Sequence, residues 1–256
     1  MSNFFSFAYY SRSDNRLQSS CRSLLLNGPR IMKMTKLLSA AAIAALIISS
    51  PAIAQEPYVE GQISHMMIDD NDGSISASAG GFSAAATGVF HYDDATAFGV
   101  EVGLASIGGT GFRAGVSYTM FDAELEAVDG SGAVSYNGTV LLAAAGRVTA
   151  DQIRNAGVEI GEKVRAYSIN GYYDVDLGSA FKPYLGLGIG IADIENMEDN
   201  ELLLSGFAGV NYAFTENFYA GLRASIHNVA GPTDKFGIKY DDFRTYAVGA
   251  VIGYKF

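Results

Sequence analysis

Cysteine is almost missing from this sequence: of 256 residues one is Cys, Cys21. A disulfide framework and thiolate catalysis are therefore excluded for everything beyond it. Tryptophan is absent, and Pro occurs only 5 times. Basic residues are also short, with 17 Lys and Arg against 27 Asp and Glu. A chain this poor in bases does not neutralise phosphates, which excludes nucleic acid as a partner. It equally argues against a polybasic membrane-surface protein. Past residue 54 no run of 18 or more apolar residues occurs, so no helix there is expected to cross a bilayer.

What is present begins near the N-terminus. Lys33 and Lys36 precede an uncharged apolar run, Leu37 to Ile48, and Ala52-Ile53-Ala54 follows with small residues at its ends. That order is a secretory signal peptide, residues 32–54, with cleavage expected after Ala54. The apolar run is too short for a transmembrane helix, which needs about 20 such residues. A secretion signal normally starts at its initiator methionine, so translation is expected at Met32 or Met34. Residues 1–31 then read as a mis-annotated or disordered leader, and Cys21 falls inside it. Residues 1–54 hold six of the 17 basic residues and one of the 27 acids. This leaves 11 and 26, a net charge of −15 for the exported part, 55–256.

The body of the chain alternates. Phe112, Ala114, Val116, Tyr118 and Met120 share one face, while Arg113, Gly115, Ser117 and Thr119 share the other. Leu185, Leu187, Ile189 and Ile191 alternate in the same way with Tyr184, Gly186, Gly188 and Gly190. Period 2 marks strands with two unlike faces. Eight such strands are expected: 57–67, 94–106, 111–127, 163–177, 181–194, 202–213, 218–229 and 243–256. Most are long enough for a tilted strand to cross a bilayer, which takes about 9–11 residues. Short turns at 107–110, 178–180 and 214–217 alternate with longer segments at 68–93, 128–162, 195–201 and 230–242. Such asymmetry, short turns on one side and long loops on the other, belongs to outer-membrane barrels.

Alternation alone does not say which face points inward. A soluble eight-stranded barrel places apolar residues inside. Here the polar face is mostly Gly, Ala and Ser with few charges: Glu60, Glu101, Arg113, Asp174, Lys182 and Arg223. A soluble exterior carries a denser mixture of both signs. These six residues are instead expected to face a narrow lumen, where buried charges persist only if paired or solvated. Aromatic residues near strand ends on the apolar face suit interfacial girdles. The fold class is therefore all-β, an up-and-down eight-stranded antiparallel transmembrane β-barrel preceded by a cleaved signal peptide. Eight strands leave an interior that side chains fill.

The last strand places Tyr246, Val248, Ile252, Tyr254 and the terminal Phe256 on one face. A terminal aromatic on an alternating last strand resembles the recognition signal of the barrel-insertion machinery. Phe98 through Leu125, Val164 to Asp176, Phe181 to Ile191 and the closing YAVGAVIGYKF together resemble the small outer-membrane barrels of the OmpA/OmpX-like and surface-antigen type. The resemblance covers nearly all of 57–256 and departs in 128–162. Its motifs are patterns of residue type, so they specify fold better than function. It implies a non-enzymatic role in envelope integrity and surface interaction through external loops, with a small-solute porin as the alternative. It implies no cofactor. Implied partners are outer-membrane lipid and lipopolysaccharide, the barrel-assembly machinery, periplasmic chaperones, and a host or surface ligand at the loops.

Four features invite a chemical reading. Asp69, Asp70, Asp72 and Gly73 hint at a calcium loop, but Ile68 and Ala79 occupy the first and twelfth ligand positions, so a solvated loop is preferred. Asp193, Glu195, Glu198, Asp199 and Glu201, with Asp241 and Asp242, form acidic segments that read first as surface charge. They could also share divalent cations with lipopolysaccharide phosphates, since hard cations favour oxygen ligands. Gly186, Gly188 and Gly190 sit at period 2 in a strand, which contradicts phosphate cradling and suits a crowded lumen. His227-Asn228-Val229-Ala230-Gly231 is similar to the catalytic segment of barrel lipid A deacylases, but Val229 stands where the Ser belongs. Ser225 precedes His227 on the same face, yet a nucleophile needs an activating base and its orienter. A lumen histidine satisfied by neighbours is the preferred reading, and no enzyme is expected.

Overall fold

The alternation creates strands that satisfy their backbones only by pairing, and the pairing closes on itself. The structure, a computed structural model, describes residues 56–155, 157, 161–234 and 237–256. The expected signal peptide and leader lie outside them. The strands are β1 (Glu56–Ile68), β2 (Asn71–Ala79), β3 (Phe82–Tyr92), β4 (Ala95–Ala105), β5 (Phe112–Tyr136), β6 (Thr139–Thr149), β7 (Gly161–Asp174), β8 (Phe181–Ile194), β9 (Glu201–Ala213), β10 (Phe218–Val229), β11 (Lys239–Tyr240) and β12 (Phe243–Lys255). One short helix, α1 (Ala150–Asn155), precedes β7.

All pairings are antiparallel. β1 pairs β4, β4 pairs β5, β5 pairs β7, and β7 to β10 pair in sequence order. β10 then pairs β12, and β12 returns to β1 with Tyr58 opposite Lys255 and Ile68 opposite Thr245. This ring has no edge. Hydrocarbon offers no hydrogen-bond partner, so a spanning sheet must be closed in this way.

Among the described residues twelve strands are present where eight are expected. The additional four, β2, β3, β6 and β11, lie in segments expected to be loops, 68–93, 128–162 and 230–242. β5 does not end near residue 127 but runs 25 residues to Tyr136. Its first part belongs to the ring, and its last part carries a second sheet in the order β2-β3-β5-β6, with β11 touching β2 at Gly73 and Ser74. The hairpin β2–β3 turns on Gly80 and Gly81 and the hairpin β5–β6 on Asn137 and Gly138, all four at positive φ. Two-residue turns of that kind match the twist of the flanking strands.

The two faces of the ring are inverted relative to a soluble protein. Leu185, Leu187, Ile189, Leu222, Val248 and Ile252 are exposed, Leu187 at 76 %. Tyr184, Asn170, Glu60, Glu101, Arg113 and Arg223 are buried. Phe112–Tyr173, Phe181–Tyr212, Tyr212–Phe214, Phe218–Tyr254 and Tyr254–Phe256 stack in edge contacts, giving an aromatic belt at the short-turn end.

Candidate functional site: the filled lumen and the second sheet

Inward positions on the strands of the ring meet at its axis. Glu60 on β1 and Glu101 on β4 are direct cross-strand neighbours, exposed by only 2 and 3 %. Arg223 from β10 donates Nη2 to Glu60 Oε1 at 2.5 Å, and Arg113 from β5 donates Nη1 to Glu60 Oε2 at 3.3 Å. The Tyr219 hydroxyl donates to the same carboxylate at 2.9 Å. Glu101 accepts from the Tyr58 hydroxyl, the Tyr172 hydroxyl at 2.7 Å and the Asn170 amide at 2.8 Å. Arg223 donates Nε to the Tyr184 hydroxyl and Nη1 to Gln62 Oε1. The Arg113 guanidinium lies over the Tyr172 ring, 4.4 Å from its centroid. Two acids and two bases thus occupy one buried layer, and nearly all their polar atoms are bonded. Arg113 Nε is left without a partner.

Glycines make room for these side chains. A Cβ on Gly186 would lie 2.3 Å from Tyr172 Cδ1, and one on Gly253 would lie 2.1 Å from Tyr219 Cζ. On Gly188 and Gly190 it would strike Asn170 Oδ1 and the Tyr167 carbonyl. The three glycines of β8 therefore serve lumen packing, on the face the alternation assigns.

A second layer lies beside the first. Ser117 and Ser168 share a hydrogen bond at 2.8 Å, and Asn170 donates to Ser117 at 2.9 Å. His227 sits in this layer, with Nδ1 2.9 Å from Ser205 Oγ and Nε2 2.9 Å from Ser225 Oγ. Both ring nitrogens are thus taken by hydroxyls inside the ring. A cavity of about 40 Å³ adjoins them, room for little more than a water molecule. A third layer toward the second sheet is apolar, with Met66, Phe121, Val164, Ile194, Leu203 and Phe243 packed inside the ring.

The six charges expected in the lumen divide into two sets. Glu60, Glu101, Arg113 and Arg223 form the buried layer. Asp174 lies at the rim, 3.4 Å from Arg113 Nη2. Lys182 lines a cavity of about 140 Å³ at the short-turn end with Asp174 and Asn211, and has no ion pair among the described residues. The tyrosines of the network, with Asn170 and Gln62, were not anticipated. Their signal was available, since Tyr58, Glu60 and Gln62 share one face of β1 by period 2. Tyr246, Val248 and Ile252 on β12 and Phe256 just beyond it are exposed, and Tyr254 stacks between Phe218 and Phe256.

The acidic segment after β1 is engaged elsewhere. Asp70 Oδ2 meets His91 Nδ1 at 2.9 Å, and Asp129 Oδ2 meets His91 Nε2 at 2.9 Å. Arg147 joins Asp129 at 3.1 Å. The Asp129 bond, seconded by Asp70, raises the His91 pKa above its ordinary 6.5. Among the described residues no group of three or more His, Cys, Asp or Glu is arranged to hold a metal ion.

An edgeless sheet with apolar residues outside and charges inside finds its counterpart in sequence comparison. The model of the outer membrane protein beta-barrel domain matches residues 38–256. The chain belongs to that family. As an outer membrane beta-barrel protein it resides in the outer membrane, which explains the greasy exterior. No curated protein matches it. Among solved structures, Neisserial surface protein A (NspA) is 16 % identical over 78 % of this chain and 97 % of its own, with a TM-score of 0.46. OprG from Pseudomonas aeruginosa is 18 % identical over 79 % of this chain and 96 % of its own, with a TM-score of 0.48. The outer membrane protease OmpT from Escherichia coli is 8 % identical over 81 and 100 %, with a TM-score of 0.40. Likenesses this distant transfer no activity to this beta-barrel protein.

Proposed function

We propose that the ring of eight paired strands spans the outer membrane as a closed, non-enzymatic scaffold, and that its working surface is the second sheet with the neighbouring external segments. The observation that carries this reading is the buried layer of Glu60, Glu101, Arg113 and Arg223, which fills the ring axis between an aromatic belt and an apolar layer. Moving a solute through that layer would separate buried ion pairs, at about 3–5 kcal/mol for a broken pair. The role is then one of envelope integrity and surface interaction. Outer-membrane lipid and lipopolysaccharide contact the exterior, and the barrel-assembly machinery with periplasmic chaperones reads the outward row Tyr246, Val248, Ile252, Tyr254 and Phe256.

Two observations bear on the rival readings. The cavity beside Lys182 favours a partial solute path from the short-turn end, but it stops at Arg113. His227 faces the ring interior between two serines, with no carboxylate among its hydrogen-bond partners to orient it as a base. The test is planar-bilayer conductance of the full chain purified from the outer membrane of an expressing host, with lipid A mass spectrometry of the same cells. A folded, silent barrel and an unchanged lipid A spectrum are expected. Steady channels would replace the scaffold with a porin, and a shifted lipid A mass would replace it with an enzyme.

A further inference from the structure

We propose that the second sheet is a lateral self-association surface, in which the free edge of β6 pairs antiparallel with the free edge of β2 from a second copy of this chain in the same membrane. Among the described residues β6, Thr139–Thr149, pairs only with β5, so its outer edge offers unpaired backbone groups. On the far side of the sheet, β11 covers β2 only at Gly73 and Ser74. Among the described residues, Ile75–Ala79 have no partner on that side.

The two edges suit each other. β2 runs from the ring to the tip and β6 runs from the tip toward the ring, so copies standing side by side present antiparallel strands. Cross-strand rows also bring them level. Ser76, Ala85, Ala133 and Ala143 form one row, and Ala77, Ala84, Val134 and Leu142 the next. Exposed edges are normally defended by Lys, Pro or inward charges. Residues 73–90 and 130–146 contain no Asp, Glu, Lys, Arg or Pro.

Charge selects the same partner. Two copies of so acidic a chain repel one another over most of their surfaces, and this charge-free sheet is where they approach without that cost. A facing lipid bilayer is a poorer occupant, because an open sheet edge does not enter hydrocarbon. The free part of β2 supplies only about five backbone bonds, the low end for a stable interface. Such an interface suits clustering of membrane-confined copies rather than a dimer in dilute solution. Because the two edges differ, the contact is heterologous and generates a ring or a row.

The inference rests on the ring spanning the membrane, and a heat-dependent gel shift checks that separately. Full chains carrying Cys21→Ser are co-expressed in one outer membrane, some with Ser76→Cys and some with Ala143→Cys or, one register step away, Ala145→Cys. After mild oxidation, a mixed adduct is expected on a non-reducing gel, and neither single-cysteine population alone gives a comparable band. Adding Leu142→Glu and Ala144→Glu, which place like charges on the edge, should lower the adduct about tenfold, the equivalent of about 1.4 kcal/mol, with the heat shift kept. Heat-shifted protein with no adduct would overturn the proposal, as would adducts joining β6 only to β6 or only to host proteins. Loss of the heat shift in the parent chain would instead strike at the spanning ring.

Discussion

The ring and the second sheet share one strand, β5, yet follow opposite rules. In the ring, large side chains from facing strands meet at the axis, glycines open space for them, and every edge is closed. In the second sheet small side chains predominate, with larger ones such as Phe82, Tyr136 and Leu142 toward the tip, the cross-strand row Gly73–Gly88–Gly130–Gly146 leaves a bare strip, and two edges stay open. The ring buries Glu60, Glu101, Arg113 and Arg223 at its axis, whereas the sheet has no charge between residues 130 and 146. The difference teaches where each region draws its stability. The ring depends on interior complementarity, so one altered atom is felt across it. The sheet depends on its backbone ladders, to which its side chains add little.

That contrast is open to breakage in order of effect. Glu60→Ala leaves Arg113 and Arg223 facing an empty position, and a loss of about 3–5 kcal/mol is expected. Urea titration followed by the heat-shifted band measures it, and an unchanged midpoint would show that the ionic layer does not hold the ring. Gly186→Val and Gly146→Val test the same change in both regions. The first drives a side chain into Tyr172 and should cost about 1–3 kcal/mol. The second enters open space and should stay within about 0.5 kcal/mol. Equal costs would erase the distinction. Replacing 74–87 and 131–145 by tight turns should leave the heat shift intact, because shorter connections change closure entropy by only about 0.6 kcal/mol per halving. A barrel that no longer assembles would make the sheet part of the folding unit.

The smallest expected effect is on pH dependence. An imidazole bonded through both nitrogens to carboxylates is held as the cation, so folding raises the His91 pKa. Its stabilisation is complete below the unfolded value of about 6.5 and disappears as pH rises through the raised folded value. The gap in unfolding midpoint between the parent chain and His91→Gln should therefore be widest in mild acid and close in base. A gap that widens with pH would reverse the assignment.

The ring was legible in the sequence because its alternating residues differ greatly in size and polarity. Leu185, Leu187 and Ile189 against Gly186 and Gly188 leave no doubt about the period. The second sheet was not, because Ser76, Ala77, Ser78 and Ala84, Ala85, Ala86 lack a greasy face for periodicity to detect. Its hairpin turns were the available clue: Gly80-Gly81 and Asn137-Gly138 are turn dipeptides with small, strand-compatible neighbours. In the lumen, Glu60, Glu101, Arg113 and Arg223 were readable as inward charges. Their tyrosine partners were not singled out, since an aromatic residue on a transmembrane strand also suits the lipid interface. Only the face it occupies separates Tyr172 in the lumen from Tyr173 in the belt.

The length of β5 has a mechanical consequence. One strand passes from the wall into the second sheet, with a bulge at Glu126 opposite His91 and Tyr92 where the two regions meet. A pull on the tip at Tyr136 travels along one backbone into the ladders with β4 and β7, parallel to the strands. Loaded that way, the hydrogen bonds of the wall share the force in shear rather than opening one after another. Such a load is released only when the barrel itself gives way.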